Sequence, residues 1–152
     1  MKTVTFVPKV VMEHFTTPQV VISIGDPGEE QPNYKSDMID VLRIEVHDIP
    51  DGIAIEDLDR TYRQFDWHHA RNILRFEHRY ADHDIIVHCH AGISRSAAVA
   101  KYLGDKCGRR LFMKYEGQDS QYNKQIYRQL SITHLDMEQS SNQQVHPLII
   151  GG

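Results

Sequence analysis

Cysteine is scarce in this chain. Two residues in 152, Cys89 and Cys107, cannot build the disulfide framework of a small secreted domain. That usage points to a reducing cytoplasm, where a cysteine is either inert core or a reactive thiol. Long apolar runs are missing as well: nothing approaches the roughly 18 residues a membrane-spanning helix needs. The start, Met1-Lys2-Thr3-Val4, lacks a signal-peptide core, and the stretches behind it are cut by Lys9, Glu13 and His14. An excess of positive charge is the third absence. Lys and Arg number 17 against 21 Asp and Glu, a formal net charge of −4, which argues against a general binder of nucleic acid or anionic membrane. If the protein handles an anion, the positive potential must be local.

What is present is the composition of one soluble globular domain. Hydrophobic residues make up 40% and charged residues 25%, enough apolar material for a core and too much for a disordered chain. Four stretches rich in Val and Ile read as buried strands: Thr3 to Val7, Val20 to Ile24, Val41 to Val46 and Asp84 to His88. Between the last two, Tyr62, Phe65, His69, Ile73, Phe76 and Tyr80 recur at spacings of three and four, one apolar stripe of a helix. Asp66 is a candidate cap within it, so one helix or two remains open. Ser96 to Cys107 reads as a second helix, closed by Gly108 with basic Lys106, Arg109 and Arg110 at its negative end. A short last helix is expected over Asn123 to Ser131.

This order predicts an α/β fold: a single domain with a mainly parallel central sheet of four to five strands flanked by helices. The domain is expected over residues 1–137. Residues 138–152 form a C-terminal tail, either a frayed terminus or an arm that docks through Val145-His146-Pro147-Leu148-Ile149-Ile150. Gly25-Asp26-Pro27-Gly28-Glu29-Glu30 and Gly117-Gln118-Asp119-Ser120 read as loops.

The run Asp84-Ile85-Ile86-Val87-His88-Cys89-His90-Ala91-Gly92-Ile93-Ser94-Arg95-Ser96-Ala97-Ala98 carries the chemistry. A buried strand ends at a cysteine, a short loop with one glycine follows, and an arginine opens a helix. Backbone N–H groups of such a loop, added to the helix dipole, cradle an anion without net charge on the domain. Gly92 lets the backbone turn tightly. Arg95 offers a rigid fork for two phosphate oxygens. Cys89 at the base would be held as a thiolate near neutral pH by the same donors, and the Ser96 hydroxyl can hydrogen-bond the sulfur. A cysteine and an arginine at this spacing are a weak signal alone; the strand, glycine, hydroxyl and helix around them discriminate.

His88-Cys89-His90-Ala91-Gly92-Ile93-Ser94-Arg95-Ser96-Ala97 resembles the signature loop of the cysteine-dependent protein tyrosine phosphatases, and its wording is most similar to the compact dual-specificity branch. The resemblance implies a phosphatase-type fold and hydrolysis of phosphotyrosine, with phosphoserine and phosphothreonine as further substrates, through a phosphocysteine on Cys89. It implies a phosphate-binding loop of His90, Ala91, Gly92, Ile93, Ser94 and Arg95, a thiolate-stabilising Ser96, a loop-orienting His88, and no metal or cofactor. The partner would be a phosphorylated protein or peptide. Loops of this kind that act on phosphoinositides usually contain lysine, and His90 to Ser94 has none. The competing reading is a phosphoprotein-binding module with little turnover; arsenate reduction or rhodanese-like sulfur transfer shares the loop logic but fits the wording less well. The sequence leaves the oligomeric state open.

The resemblance also calls for an upstream general acid. Candidates are Asp48, Asp51, Asp57 and Asp59. Carboxyl ends of parallel strands share an edge, so groups just beyond two neighbouring strands converge. Asp48 directly follows the strand Val41 to Val46, which favours it over Asp51; Asp57 and Asp59 read as helix-start acids. No Trp-Pro-Asp acid loop of the larger tyrosine-specific members is present, and the stretch from Asp48 to Cys89 is longer than in compact members.

The ten histidines invite a metal reading. On an extended strand His88 and His90 face one side and Cys89 the other, so the three cannot share one tetrahedral ion. Cys107 is expected as an inert helix-end residue, since a continuous helix from Arg95 would place it about 18 Å away, beyond the roughly 7 Å between Cα atoms that a disulfide allows.

Overall fold

The β-branched runs become the strands β1 (Thr3–Pro8), β2 (Val20–Gly25), β3 (Asp40–Glu45) and β4 (Ile85–Cys89), joined by a two-residue β5 (Arg110–Leu111). The structure is a computed structural model that describes residues 2–150; the side chains of residue 55 and of residues 142–150 lie outside that description. The sheet order is β3-β2-β4-β1-β5, with every pairing parallel. The expected class is therefore the observed one, with five strands.

Alternation along the central strands sorts the side chains between two layers. Val20, Ile22 and Ile24 of β2 and Ile85, Val87 and Cys89 of β4 join the main core, while Val21 and Ile86 join a second cluster with Met12. Helices α2 (Trp67–Arg79), α3 (Arg95–Lys106) and α4 (Lys124–Ile150) pack on the main-core side. A short α1 (Lys9–Met12) and the segment carrying Phe15, Tyr34 and Met38 cover the other. Both faces of β4 are thus buried, which is why it reads as an unbroken apolar run.

Several sequence expectations are corrected. Of the two readings left open for the stripe, a single helix is observed, and it covers only the part from Trp67 onward. Asp66 caps it by accepting from the N–H groups of His68 and His69, and His69 Nδ1 accepts from the Asp66 N–H in return. Tyr62 and Phe65 therefore precede the helix. Asp57 closes a 3-10 turn over Ile55–Asp57, and Asp59 accepts from the Thr61 N–H, so neither starts an α-helix. Arg109, two residues past the Cys107 cap of α3, is 5% exposed, pairs with Glu77 and donates to the carbonyls of Thr3, Tyr80 and His83.

The largest difference lies in α4, expected to end at Ser131. Its buried positions Ile126, Leu130 and Thr133 and the core-packed Met137 keep a helical period past that point. A threonine and a single methionine carry the stripe there, so the apolar signal in the sequence fades before the helix does. The backbone is helical to Ile150, and the contact proposed for residues 145–150 lies outside the described residues.

Candidate active site

β4 ends at Cys89, residues 90–94 form a loop, and α3 begins at Arg95. Cys89 is 2% and Ser96 0% exposed. The Gly92 N–H donates to Cys89 Sγ at 3.3 Å, and Ser96 Oγ lies 3.1 Å from the same sulfur. A backbone N–H and a hydroxyl thus both lie within hydrogen-bond reach of one buried sulfur. Gly92 has φ +68, and a Cβ there would stand 2.4 Å from the Pro8 nitrogen. The loop thus presses on the end of β1, where the Lys9 N–H donates to the His90 carbonyl at 3.2 Å. Only glycine satisfies both the angle and the contact.

Arg95 is 7% exposed. Its Nη1 donates to Asp26 Oδ1 and to the Val46 carbonyl, each at 2.7 Å. Both contacts use one nitrogen, which leaves the Nε–Nη2 edge for a bidentate grip on an oxyanion. Asp48 accepts from Ser94 Oγ at 2.9 Å and from Asn123 Nδ2 at 2.7 Å, both on Oδ1. Cys89, His90, Ala91, Ile93, Ser94, Arg95, Asp26, Asp48 and Gln121 line one cavity of about 480 Å³.

His88 lies behind the loop, 1% exposed. Burial, with a lesser contribution from the Arg43 charge, pushes its pKa down to about 4, so the ring is neutral at ordinary pH. His90 Nδ1 stands 3.5 Å from Glu29 Oε2. Burial tends to raise the Glu29 carboxyl, but the Asp26 backbone N–H, Lys9 and His90 together hold it below its usual value.

No family model and no curated protein matches the chain. Solved structures similar to it include two human proteins. The human tyrosine phosphatase-like serine/threonine/tyrosine-interacting protein is 19% identical with a TM-score of 0.47, over 79% of this chain and 78% of that one. Human DUSP28 is 18% identical with a TM-score of 0.40, over 80% and 81%. Both are proteins of the dual-specificity phosphatase fold. What the site does must come from this chain's own residues.

Of the acid candidates, the cavity holds Asp48 alone. Asp51 pairs with Arg128 and lines a neighbouring cavity instead. The route by which Asp48 arrives differs from the expectation, because β3 is not the neighbour of β4. β2 lies between them, so Asp48 reaches the loop through Ser94, and the residue just past β2, Asp26, takes the place beside Arg95. In the sequence Asp26 reads as part of the loop Gly25-Asp26-Pro27-Gly28-Glu29-Glu30. The rule that selected Asp48, a carboxylate directly beyond a buried strand, applied to it equally. Asn123 was also missed: its Oδ1 caps α4 by accepting from the Ile126 N–H at 2.9 Å while its amide holds Asp48. Cys107 caps the end of α3, and burial pushes its thiol up to about 12. Among the described residues, no helix is long and apolar enough to cross a membrane.

Proposed function

We propose that this chain hydrolyses phosphate monoesters, with phosphotyrosine in proteins or peptides as its principal substrate. The observation that carries the proposal is a buried cysteine sulfur that receives the Gly92 N–H and lies 3.1 Å from the Ser96 hydroxyl, in a cavity that Arg95 also lines.

In the first step Cys89 Sγ attacks phosphorus. The S–P bond forms as the bond to the leaving oxygen breaks, and Asp48 supplies that oxygen's proton. Arg95 and the loop N–H groups stabilise the charge spread over the equatorial oxygens, the task a metal performs in other phosphoryl transfers. In the second step water attacks phosphorus, Asp48 takes its proton, and the S–P bond breaks. Ser96 then steadies the departing thiolate. The loop contains no lysine that would favour a multiply phosphorylated headgroup, which supports protein substrates.

The test is hydrolysis of an aryl phosphate in EDTA, followed by a panel of phosphotyrosine, phosphothreonine and lipid phosphates. Wild type should turn over, and Cys89→Ser should abolish turnover while still binding a phosphotyrosine peptide. Full activity in Cys89→Ser refutes the mechanism.

One observation favours a second reading. Asp48 accepts two hydrogen bonds on one oxygen, an arrangement equally suited to a structural carboxylate. In that case the cradle would bind phosphoproteins and turn over little. Rapid mixing separates the two, because a binding module releases no burst of leaving group.

A further inference from the structure

Ser23 sits opposite Arg43 of β3 and opposite His88 of β4 in the sheet register. The three polar side chains therefore form one row across three strands, on the face turned away from the main core. Arg43 Nη1 donates to Ser23 Oγ at 2.9 Å, and Ser23 Oγ lies 2.7 Å from His88 Nε2. His88 Nδ1 faces the Cys89 carbonyl at 3.5 Å.

Proton bookkeeping orders the row. A carbonyl only accepts, so Nδ1 carries the single proton of the neutral imidazole. Nε2 is then an acceptor, the Ser23 hydroxyl donates to it, and the serine lone pair takes the Arg43 N–H. The chain of donation runs Arg43 to Ser23 to His88 to the Cys89 carbonyl. Arg43 makes a second contact, Nη2 to the Glu29 carbonyl at 2.6 Å. Gly25 leaves room for the guanidinium, since a Cβ there would stand 2.4 Å from Nη2. Glu29 belongs to the loop whose Asp26 holds Arg95.

We propose that Arg43 is a positioning residue for the phosphate cradle. Through Ser23 it fixes the tautomer of His88, whose Nδ1–H steadies the Cys89 carbonyl; through Glu29 it fixes the loop that brings Asp26 to Arg95. Across a planar peptide the His90 N–H is antiparallel to the Cys89 carbonyl. Anchoring that carbonyl on the His88 side turns the N–H to the other side, where an anion needs donors. One guanidinium outside the cavity thus supports both walls of it.

The inference rests on the phosphatase reading only in taking Cys89 as nucleophile, so its test has one readout that needs no substrate. Nitrogen NMR of His88 reports the tautomer. Wild type should show a protonated Nδ1 and a bare Nε2. Arg43→Met and Ser23→Ala should each move the proton towards Nε2. Arg43→Lys, able to reach Ser23 but not Glu29 at the same time, should restore Nδ1–H. The second readout is the pH profile of Cys89 alkylation by iodoacetamide. Arg43→Met should cut the rate below neutral pH about tenfold, equivalent to one hydrogen bond of about 1.4 kcal/mol.

Other charged groups share this environment. The sulfur's cavity also holds Asp26, Asp48, His90 and Arg95. Glu29 and Lys9 act on His88 alongside Arg43, and Tyr34 shares the Ser23 and Arg43 neighbourhood. Ser23→Ala removes one hydroxyl and no charge, so a changed tautomer in that variant cannot come from altered electrostatics at these groups. An unmoved His88 proton in both Arg43→Met and Ser23→Ala overturns the proposal, even if Cys89→Ser is inactive. A shifted proton together with full activity in Cys89→Ser would instead leave the Arg43 assignment standing and sink the phosphatase reading alone.

Discussion

Asp26 Oδ1 and Arg95 Nη1 meet at 2.7 Å across 69 residues of sequence. The arginine side chain is 8% exposed and the aspartate 54%, so this is a half-exposed carboxylate steering a buried guanidinium. The Val46 carbonyl shares the same nitrogen, and the two acceptors fix the rotation of the fork.

Removing the carboxylate should loosen the fork without freeing it, because Val46 remains. Asp26→Ala is expected to lower kcat/KM for an aryl phosphate about tenfold, the scale of one charge-assisted hydrogen bond. Asp26→Asn, which keeps an acceptor oxygen, should lose less. Steady-state kinetics on the two variants checks the order, and equal losses would mean that charge and not aim is what Asp26 supplies.

Asp48 and Asn123 should behave as a pair. Asp48→Ala is expected to slow poor leaving groups more than good ones, since only the former need a proton in the first step. Asn123→Ala should show a weaker form of the same leaving-group dependence and, through the lost cap on α4, a stability loss of about 1 kcal/mol. A leaving-group series with both variants, alongside denaturant melts, tests this. A uniform loss in Asp48→Ala moves the acid role to another residue.

Two glycines with left-handed backbone should respond differently to a methyl group. At Gly117, φ is +80 and the space is open, so Gly117→Ala should cost only the backbone term of about 1–2 kcal/mol. At Gly92 the same substitution adds a Cβ driven against the Pro8 backbone. It should cost about 3 kcal/mol or more and remove activity even where the protein stays folded. Chemical denaturation of the two variants under one set of conditions makes the comparison.

Burial of His88 writes a pH dependence into stability. Its pKa falls from 6.5 to about 4 on folding. Between these values the unfolded chain binds the extra proton, so stability rises with pH across that window and is lost as pH falls through it. The full linkage is on the order of 3 kcal/mol. His88→Asn, which does not titrate, should flatten that part of the curve. Denaturation midpoints for both proteins between neutral and mildly acidic pH would expose a wrong assignment as parallel curves.

The central strands were legible because their residues are apolar on both faces, so burial was visible as composition. The Cys89 loop was legible because its parts are contiguous: strand, glycine, arginine and serine stand within one short run. Asp66 announced its helix through a local capping signal. Asn123 and Arg43 carried no local signal of a role in the site, and Asp26 carried only the strand-end signal it shares with Asp48, because each becomes part of the site through a partner far away in the chain. The end of α4 escaped for a different reason, since a threonine, Thr133, takes a buried position in the stripe while the apolar Ile132 and Leu135 beside it are exposed.

By itself, then, the sequence determined that an α/β domain would carry a cysteine at the end of a buried strand, followed by a glycine-bearing loop and a helix, because local pattern and turn chemistry decide both. Tertiary structure alone decided which carboxylates surround that cysteine. The deciding fact is the strand order: with β2 seated between β3 and β4, Asp26 reaches Arg95 and Asp48 is handed to Ser94 and Asn123. Strand order is set by how layers pack, and no stretch of sequence encodes it locally.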